Sequence, residues 1–384
     1  MMQSSLAASL RNKLALHGYH EKALQSLEID PFSITPEVFP IIEGKIQGRK
    51  PLNILVSLFL LGQAVDTKKA GTVFASKEID SLVRLKVLAV SQKNKISSNM
   101  KISPYSNFYF ASDFTIRDSS ESHSDHRGGK FLVYPPGQDS VTLAEATVRD
   151  RVASTLDLCT GCGMHAILAS RHSKRVVGTD INSKAIDFAN FNLLLNCVKN
   201  VEFKLGNLYE PVQSEQFDLI LANPPFVISP DDSALYRDGG RRGDRSLKEI
   251  LRGMPHHLRK GGYCQIVTLL SEFSGTSQEE SVRRALRKNS YNTLLLAFSA
   301  FDLYQLAYGQ YRAHVWNFKE YRTKMLKYIE YLRKIKLEKT SLCLITIKHG
   351  LKYQFKRWNL VTTVELPTKP IDKIKGYYDE STVR

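Results

Sequence analysis

The sequence contains few cysteines, and their arrangement does not indicate a disulfide framework. Five are present among 384 residues, several of them beside apolar residues: Cys159, Cys162, Cys197, Cys264 and Cys343. An odd number of cysteines in a chain of this length is typical of a reducing compartment, not of a small secreted domain stabilised by disulfides. We therefore expect free thiols and a cytoplasmic protein.

The sequence also lacks a long apolar run. The longest, LNILVSLFLLG at residues 52–62, is too short for the roughly 20 residues that a membrane-spanning helix requires. Residues 1–16 mix Ser, Ala, Arg and Lys without the apolar centre of a signal peptide. These absences argue against a membrane or secreted class, and we expect the apolar run to form a buried helix.

Acidic residues are scarce, with 38 Asp and Glu against 54 Lys and Arg, so the formal net charge is +16. This surplus favours an anionic partner such as RNA, DNA or an acidic protein surface. A solvated, lysine-rich surface without a partner has the same composition. With 42% hydrophobic residues and no internal repeat, the chain is globular and long enough for two domains.

Residues 1–115 are predicted to form a smaller, mainly helical domain. The segments 36–48 and 51–62 each begin near a proline and end at a glycine, as helices do. The segment 76–90 starts with a serine that could cap a helix and then becomes β-branched, and 101–114 alternates like a strand. Helices followed by a hairpin indicate a winged-helix-like unit. Such a unit either reads nucleic acid or only packs and binds protein.

A polar linker is predicted at residues 116–133 and a C-terminal tail at 364–384. The linker contains His123, Asp125 and His126, which could suggest a metal site. No further ligand lies near them on a predicted helix or strand, so we interpret the segment as a solvated loop and predict no metal.

From residue 134 to 363 the pattern alternates between strands and helices. Five apolar strands are predicted at STLDLC, RVVGTD, VEFKLGN, FDLILAN and YCQIVTLL, with helical segments between them. This alternation predicts a doubly wound, mostly parallel sheet with helices on both faces. Two later strands, NTLLLAFSA and SLCLITIKHG, flank a helix at about 318–337 and would make the sheet mixed.

Polar residues and glycines recur where the predicted strands end. Asp157 closes the first strand, and Gly161 and Gly163 allow a tight turn before a helix. A glycine-rich turn is shared with dinucleotide-binding folds, but the third glycine of their pattern is absent here. Asp180 ends the next strand, where a carboxylate can bind both ribose hydroxyls, and Asn207 follows the third, within reach of an adenine amino group. Together they outline an adenosyl-binding crevice.

The fourth strand runs into Asn223-Pro224-Pro225-Phe226. Two prolines in succession cannot continue a sheet ladder, so they form a rigid loop. This loop is predicted at the carboxyl edge of the sheet, where open α/β folds bind ligands.

At residues 134–270 the chain resembles the class I S-adenosylmethionine-dependent methyltransferases. Within them it resembles the small-domain branch that carries Asn-Pro-Pro-Tyr or Asn-Pro-Pro-Phe. YPPGQDSVTL (134–143) and ALYRDGGRRGDRSLKEIL (234–251) are similar to the segments that flank the family's motifs. The resemblance implies a seven-stranded Rossmann-like sheet and S-adenosyl-L-methionine as cofactor. Asn207 departs from the family, which more often has Asp. The cofactor-binding residues implied are Gln138, Asp157, Thr160, Gly161, Gly163, Asp180, Ile181, Asn207, Leu208 and Asn223.

The same resemblance implies that Asn223, Pro224, Pro225 and Phe226 are catalytic. The Asn223 oxygen and the Pro224 carbonyl would accept hydrogen bonds from a planar nitrogen, and Phe226 would stack on the acceptor group. The preferred substrate is a Gln or Asn side-chain amide of a protein or peptide. The exocyclic amine of adenine or guanine in rRNA or tRNA is the alternative, and a small natural product is a third.

The sequence also allows three other interpretations. CTGC (159–162) could be redox-active, but both cysteines lie in the glycine turn. The helix from 318 has Phe318, Met325, Ile329 and Leu332 on one face and basic residues elsewhere. It is therefore either a cover helix or, with Arg241, Arg242 and Arg245, a cationic rim for an anionic substrate; these arginines could also order a lid. A basic nucleic-acid-binding module without activity would not require the intact set of polar residues at the strand ends.

Overall fold

The computed structural model of the protein describes residues 2–91, 94–115, 131–230, 237–287, 291–311, 317–350 and 353–359. Most of the predicted linker, including His123, Asp125 and His126, lies outside these residues, as does the tail 364–384. The division into domains at the predicted boundaries stays a prediction. Across the described residues, no helix is both long and apolar enough to cross a lipid bilayer.

The N-terminal region is mainly helical, as predicted. Its helices are α1 (Met2–Leu16), α2 (Glu21–Ser26), α3 (Phe39–Ile46) and α4 (Lys50–Val56), the last continued by a wider turn at Ser57–Leu61. They are followed by β1 (Val65–Asp66), α5 (Thr67–Ala70), α6 (Ser76–Arg84), β2 (Leu88–Ser91) and β3 (Lys95–Ser98). The three strands form an antiparallel sheet with β3 in the middle. A separate hairpin of β4 (Lys101–Tyr105) and β5 (Phe108–Ser112) comes next.

The predicted ends of the helices are largely confirmed, with one correction. Gly62 has a φ of +70° at the end of the apolar run, the left-handed conformation that glycine adopts without strain. Ser76 does not cap α6, because it is already the first helical residue. The preceding Ala75 instead donates its backbone N–H to the Glu78 carboxylate at 2.8 Å. The cap therefore depends on the acidic residue in the first turn.

The rest of the chain alternates between helices and the strands of one large sheet. The elements are α7 (Gln138–Ala146), β6 (Val152–Leu158), α8 (Met164–Ala169), β7 (Ser173–Asp180), α9 (Ser183–Asn196), β8 (Val201–Leu205), β9 (Phe217–Ala222), α10 (Arg245–His257), β10 (Leu258–Phe273), β11 (Thr276–Ser277), α11 (Gln278–Arg287), β12 (Tyr291–Phe301), α12 (Leu303–Tyr311), α13 (Phe318–Lys334), β13 (Leu337–His349) and β14 (Gln354–Asn359).

The predicted doubly wound, mostly parallel sheet is confirmed. Its order is β14-β12-β13-β10-β9-β6-β7-β8, with β11 paired to β10. The five strands from β8 to β10 are parallel, and β13 lies antiparallel between β10 and β12. The sheet exceeds the seven predicted strands because β14 adds to the edge of β12 and the two-residue β11 folds back on β10.

Helices cover both faces of the sheet, which explains the continuous apolar runs of the strands. Ile220 and Ala222 of β9 pack with α10 and α11 on one face. Leu219 and Leu221 pack with α7 and α8 on the other. Because all five parallel strands point the same way, their carboxyl ends meet at one edge.

Two buried asparagines of α9 join the β4–β5 hairpin to the large sheet. The side chain of Asn196 accepts from the backbone N–H of Tyr109 and donates to its carbonyl, at 2.8 and 2.7 Å. Asn192 makes the same pair with Ala111, at 2.8 and 3.0 Å, and donates to the Cys162 carbonyl at 2.8 Å. The two amides, one helical turn apart, satisfy the open edge of β5 as a neighbouring strand would.

We expect Asn192→Ala to lower the free energy of unfolding by about 2–4 kcal/mol, because it leaves buried backbone groups without partners. Chemical denaturation followed by circular dichroism measures this change. The matched control is Asn190→Ala, which removes an exposed asparagine of the same helix and should change stability little. Equal stability of the two variants would contradict the role assigned to Asn192.

Candidate active site

A cavity of about 720 Å³ opens at the carboxyl edge of the parallel strands. It is bordered by eleven of the residues predicted to form the site: Gln138, Thr160, Gly161, Asp180, Ile181, Asn207, Leu208, Asn223, Pro224, Pro225 and Phe226. Segments far apart in sequence meet there because β6, β7, β8 and β9 end side by side. The predicted Asp157 and Gly163 do not border the cavity but lie behind its wall.

Asp157 organises the turn after β6 from inside the protein. It is fully buried, and its Oδ2 accepts hydrogen bonds from the Thr160 hydroxyl and the Ala166 backbone N–H. Its Oδ1 has no hydrogen-bond partner within the described part of the chain. Burial raises the pKa of this carboxyl to about 7, and the nearby Asp180 charge adds to the shift.

The glycines of this turn have separate roles. Gly163 has a φ of +83°, and a Cβ there would stand 2.7 Å from the Phe203 ring. Gly161 has a φ of +54° and open space where a side chain would project. Gly163 therefore allows close packing, whereas Gly161 leaves the backbone accessible from the cavity.

Asp180 accepts two backbone hydrogen bonds at the end of β7. Its carboxylate receives the N–H groups of Gly161 at 2.8 Å and of Asn182 at 2.9 Å, and so connects the turns after β6 and β7. Burial raises its pKa, although these hydrogen bonds oppose the shift. Asn207 lies two residues beyond the end of β8 and donates its backbone N–H to Glu210 at 3.1 Å.

The amide of Asn223 is held in one orientation. Its Nδ2 donates to the Asp139 carboxylate at 2.7 Å and to the Ser140 hydroxyl at 3.1 Å, both in the first turn of α7. With the two N–H bonds directed at these acceptors, Oδ1 is left to accept a hydrogen bond from a ligand. The stiff Pro224-Pro225 pair keeps the backbone of this loop in place.

The loop that contains Phe226 is packed from outside by two other segments. A Cβ on Gly243 would stand 2.6 Å from the Phe226 carbonyl oxygen, so the glycine-rich segment approaches as closely as glycine permits. From α13, the buried Tyr328 donates its hydroxyl to the Ile228 carbonyl at 2.7 Å. Helix α13 thus supports the site, as a cover helix would.

The predicted faces of α13 and the arginine rim need correction. Ile329 and Leu332 are buried as predicted, but Phe318 is 67% exposed because it stands at the first position of the helix. Arg242 lies over the Phe273 ring and donates to Thr276, and the cavity is bordered by Arg237 instead of Arg241, Arg242 or Arg245.

The N-terminal region contributes part of the cavity wall through Phe32, Ser33 and Thr35. Gln138 donates from Nε2 to Asp30 at 2.8 Å and to Ser33 at 3.0 Å. From β4, the buried Lys101 donates to the Pro31 carbonyl at 2.8 Å. The cavity is also bordered by four residues of α12: Gln305, Leu306, Gly309 and Gln310.

Cys159 and Cys162 border the cavity as thiols. Burial raises the pKa of Cys162 to about 12 and raises that of Cys159 well above its ordinary value. Reactive cysteines need a lowered pKa, so the environment does not support redox chemistry by CTGC. Among the described residues, no group of three or more His, Cys, Asp or Glu side chains is placed to hold a metal ion.

Several cavity residues were not predicted from the sequence. Asp139 and Ser140 lie within the segment 134–143 that resembles the family, and their polar side chains were the feature from which a role in the site could have been predicted. His165 stands in the first turn of α8 and is 6% exposed. Phe32 and Gln305 carried no signal, because their positions depend on how distant segments pack.

We expect Asp157→Asn to become more stable relative to the natural chain as the pH rises from 5 to 8, by roughly 2–3 kcal/mol. The folded carboxyl, with a pKa of about 7, keeps its proton where the unfolded one has lost it. The stabilisation that Asp157 contributes is therefore complete at a pH below the ordinary pKa of an aspartic acid, and it is lost progressively as the pH rises to about 7. Asparagine has no such dependence. Thermal unfolding at both pH values measures the difference, with the exposed Asp187→Asn as control; a constant difference would rule the explanation out.

Comparison with known proteins adds independent information. The methyltransferase small domain family matches residues 138–278. A Methanocaldococcus jannaschii protein, whose name marks it as an inferred protein N5-glutamine methyltransferase, is 33% identical over 159 residues, 40% of this chain and 78% of that protein.

Two bacterial relatives match over a smaller part of their length. The release factor glutamine methyltransferase of Thermodesulfovibrio yellowstonii is 25% identical over 43% of this chain and 64% of its own. The ribosomal protein uL3 glutamine methyltransferase of Bradyrhizobium diazoefficiens is 35% identical over 34% of this chain and 44% of its own. The region matched by the family, residues 138–278, contains the polar strand ends and the Asn-Pro-Pro-Phe loop. Because the similarity to the archaeal protein extends over most of its length, the chain belongs to the methyltransferase small domain family.

Proposed function

We propose that this methyltransferase transfers a methyl group from S-adenosylmethionine to the side-chain amide nitrogen of glutamine in a polypeptide. The observation that carries the proposal is the fixed amide of Asn223. Both of its N–H bonds are directed at Asp139 and Ser140, so it presents an oxygen, not a donor, to an incoming N–H group. The names of the relatives supply the glutamine.

The residues that line the cavity support an adenosyl cofactor. Asp180 would accept the ribose hydroxyls, and Asn207, Leu208 and Ile181 would border the adenine. Gly161 leaves an open backbone where the chain turns after β6.

When bound, S-adenosylmethionine supplies an electrophilic methyl group on its sulfonium. The residues of the chain position the acceptor nitrogen. An amide nitrogen is a weak nucleophile because its lone pair is delocalised. Hydrogen bonds from its two N–H groups to Asn223 Oδ1 and to the Pro224 carbonyl would orient the lone pair and favour pyramidalisation. Phe226 would pack on the planar amide. The proton can leave after the transfer, so no general base is required before it.

We extend the proposal to the N-terminal domain, residues 1–115, as a contributor to substrate selection. Phe32, Ser33 and Thr35 border the same cavity as Phe226, so an acceptor side chain entering the cavity would meet both. We propose a polypeptide partner, and the net charge of +16 favours one with an acidic or RNA-bound surface.

A second candidate is methylation of an exocyclic base amine in RNA. Two observations favour it: the net charge, and the three-stranded sheet of β1, β2 and β3 that accompanies α5 and α6, which is consistent with a winged-helix-like unit. Asn223 would hold an aromatic amine in the same way, so the site alone does not separate the two substrates.

A tritium-transfer assay tests the substrate class. Purified protein and methyl-labelled S-adenosylmethionine are added to lysate from cells that lack the gene, and the product is divided between RNase and protease. We expect the label to survive RNase and to be released by protease, with mass spectrometry locating it on glutamine. Label lost with RNase would establish the second candidate instead, and label confined to small solutes would exclude both.

We expect Asn223→Ala to lower kcat roughly 100- to 1,000-fold, and Asp139→Ala to lower it by at least about tenfold, because the Asn223 amide can then rotate. Calorimetry should show nearly unchanged affinity of both variants for S-adenosylhomocysteine. The double variant should be no slower than Asn223→Ala if Asp139 acts through Asn223. If the two decreases in kcat multiply in the double variant, Asp139 does not act through Asn223. Ser140→Ala, which keeps the shorter bond to Asp139, serves as the milder control.

A further inference from the structure

His165 borders the cavity with a ring that forms no hydrogen bond to the described residues. It lies in the first turn of α8 and is 6% exposed. Its Nδ1 is enclosed by the protein, and none of the described residues is its hydrogen-bond partner. A buried imidazole normally has at least one hydrogen bond, so an unpartnered ring at a cavity wall points to a ligand.

The chemistry of the ring limits what that ligand group can be. Burial lowers the pKa of His165 to about 4, so the ring is neutral at pH 7 and carries one proton. The described residues around Nδ1 provide no acceptor, which favours the tautomer with the proton on Nε2. Because Nδ1 is the enclosed nitrogen, the N–H group on the cavity side belongs to Nε2. A donor of this kind matches an anionic oxygen.

The position of His165 indicates which part of the cofactor lies beside it. The adenosyl end of the cavity is marked by Asp180 after β7 and Asn207 after β8, and the acceptor end by Asn223 after β9. Strand β6 lies between β7 and β9, and α8 follows directly after its turn. A cofactor that extends from the adenosyl end of the cavity to the acceptor end would therefore have its methionyl part beside the start of α8.

We propose that His165 binds the α-carboxylate of the methionyl group of S-adenosylmethionine through a hydrogen bond from Nε2. This inference rests on the cofactor assigned under the proposed function. It adds to the site a residue that neither the glycine turn nor the Asn-Pro-Pro-Phe loop contains. Its partner is one chemical group, which can be removed from the ligand without altering the adenosyl part.

The test compares ligands with and without that carboxylate by isothermal titration calorimetry. His165→Phe should bind S-adenosylhomocysteine about 10- to 100-fold more weakly than the natural chain, the usual effect of a lost hydrogen bond to a charged group. His165→Gln, whose amide keeps an N–H group of similar reach, should recover most of the affinity. Decarboxylated S-adenosylmethionine should bind the natural chain and His165→Phe within about twofold of each other, which also shows that the variant has kept its cavity.

A second histidine of the same segment is the matched control. His172 also has an enclosed Nδ1 that no described residue bonds, but it does not border the cavity. His172→Phe should therefore leave the affinity for S-adenosylhomocysteine unchanged.

Unchanged binding by His165→Phe would overturn the inference, and so would an equal loss for the decarboxylated ligand. If the natural chain binds none of these ligands, the proposed function itself fails and the inference fails with it.

Discussion

The buried side chain of Asn192 connects three parts of the protein. One amide satisfies both backbone groups of Ala111 at the edge of the hairpin and also reaches the carbonyl of Cys162 in the glycine turn. A buried backbone edge without partners would be costly, so the hairpin has a defined position against α9. This position places the N-terminal region where Phe32 and Ser33 border the cavity.

The cavity therefore depends on contacts between segments that are distant in sequence. Asn223 follows β9, but its amide is oriented by Asp139 and Ser140, which precede β6. Gln138, next to Asp139, is held by Asp30 and Ser33 of the N-terminal region. The acceptor loop, the start of α7 and the N-terminal wall thus share one set of hydrogen bonds. A disturbance in any of them would reach the reacting groups through the others.

Much of the site could be predicted because each of its main residues stands in a local pattern. Asp180 follows an apolar strand, Gly161 lies in a glycine turn, and Asn223 begins a pair of prolines. Parallel strands bring such residues to one edge without further information. The roles of Asp157 and Gly163 were harder to predict from the sequence. Both belong to the same motif, but their burial behind the cavity wall depends on the packing of Thr160 and Phe203 against them.

By itself, the sequence determined the doubly wound sheet, the mainly helical N-terminal region and the polar residues at the strand ends, because periodicity, glycine and proline act locally along the chain. Tertiary structure alone decided that Asp139 orients Asn223, that Phe32 completes the cavity and that Arg237 borders it in place of Arg241. It also decided that the His165 ring has no hydrogen-bond partner among the residues that the structure describes. These features depend on which distant segments pack against each other, and no short stretch of sequence encodes that packing. A polar side chain needs a hydrogen-bond partner within the protein only after the packed core has excluded water, so such contacts are decided by the tertiary structure.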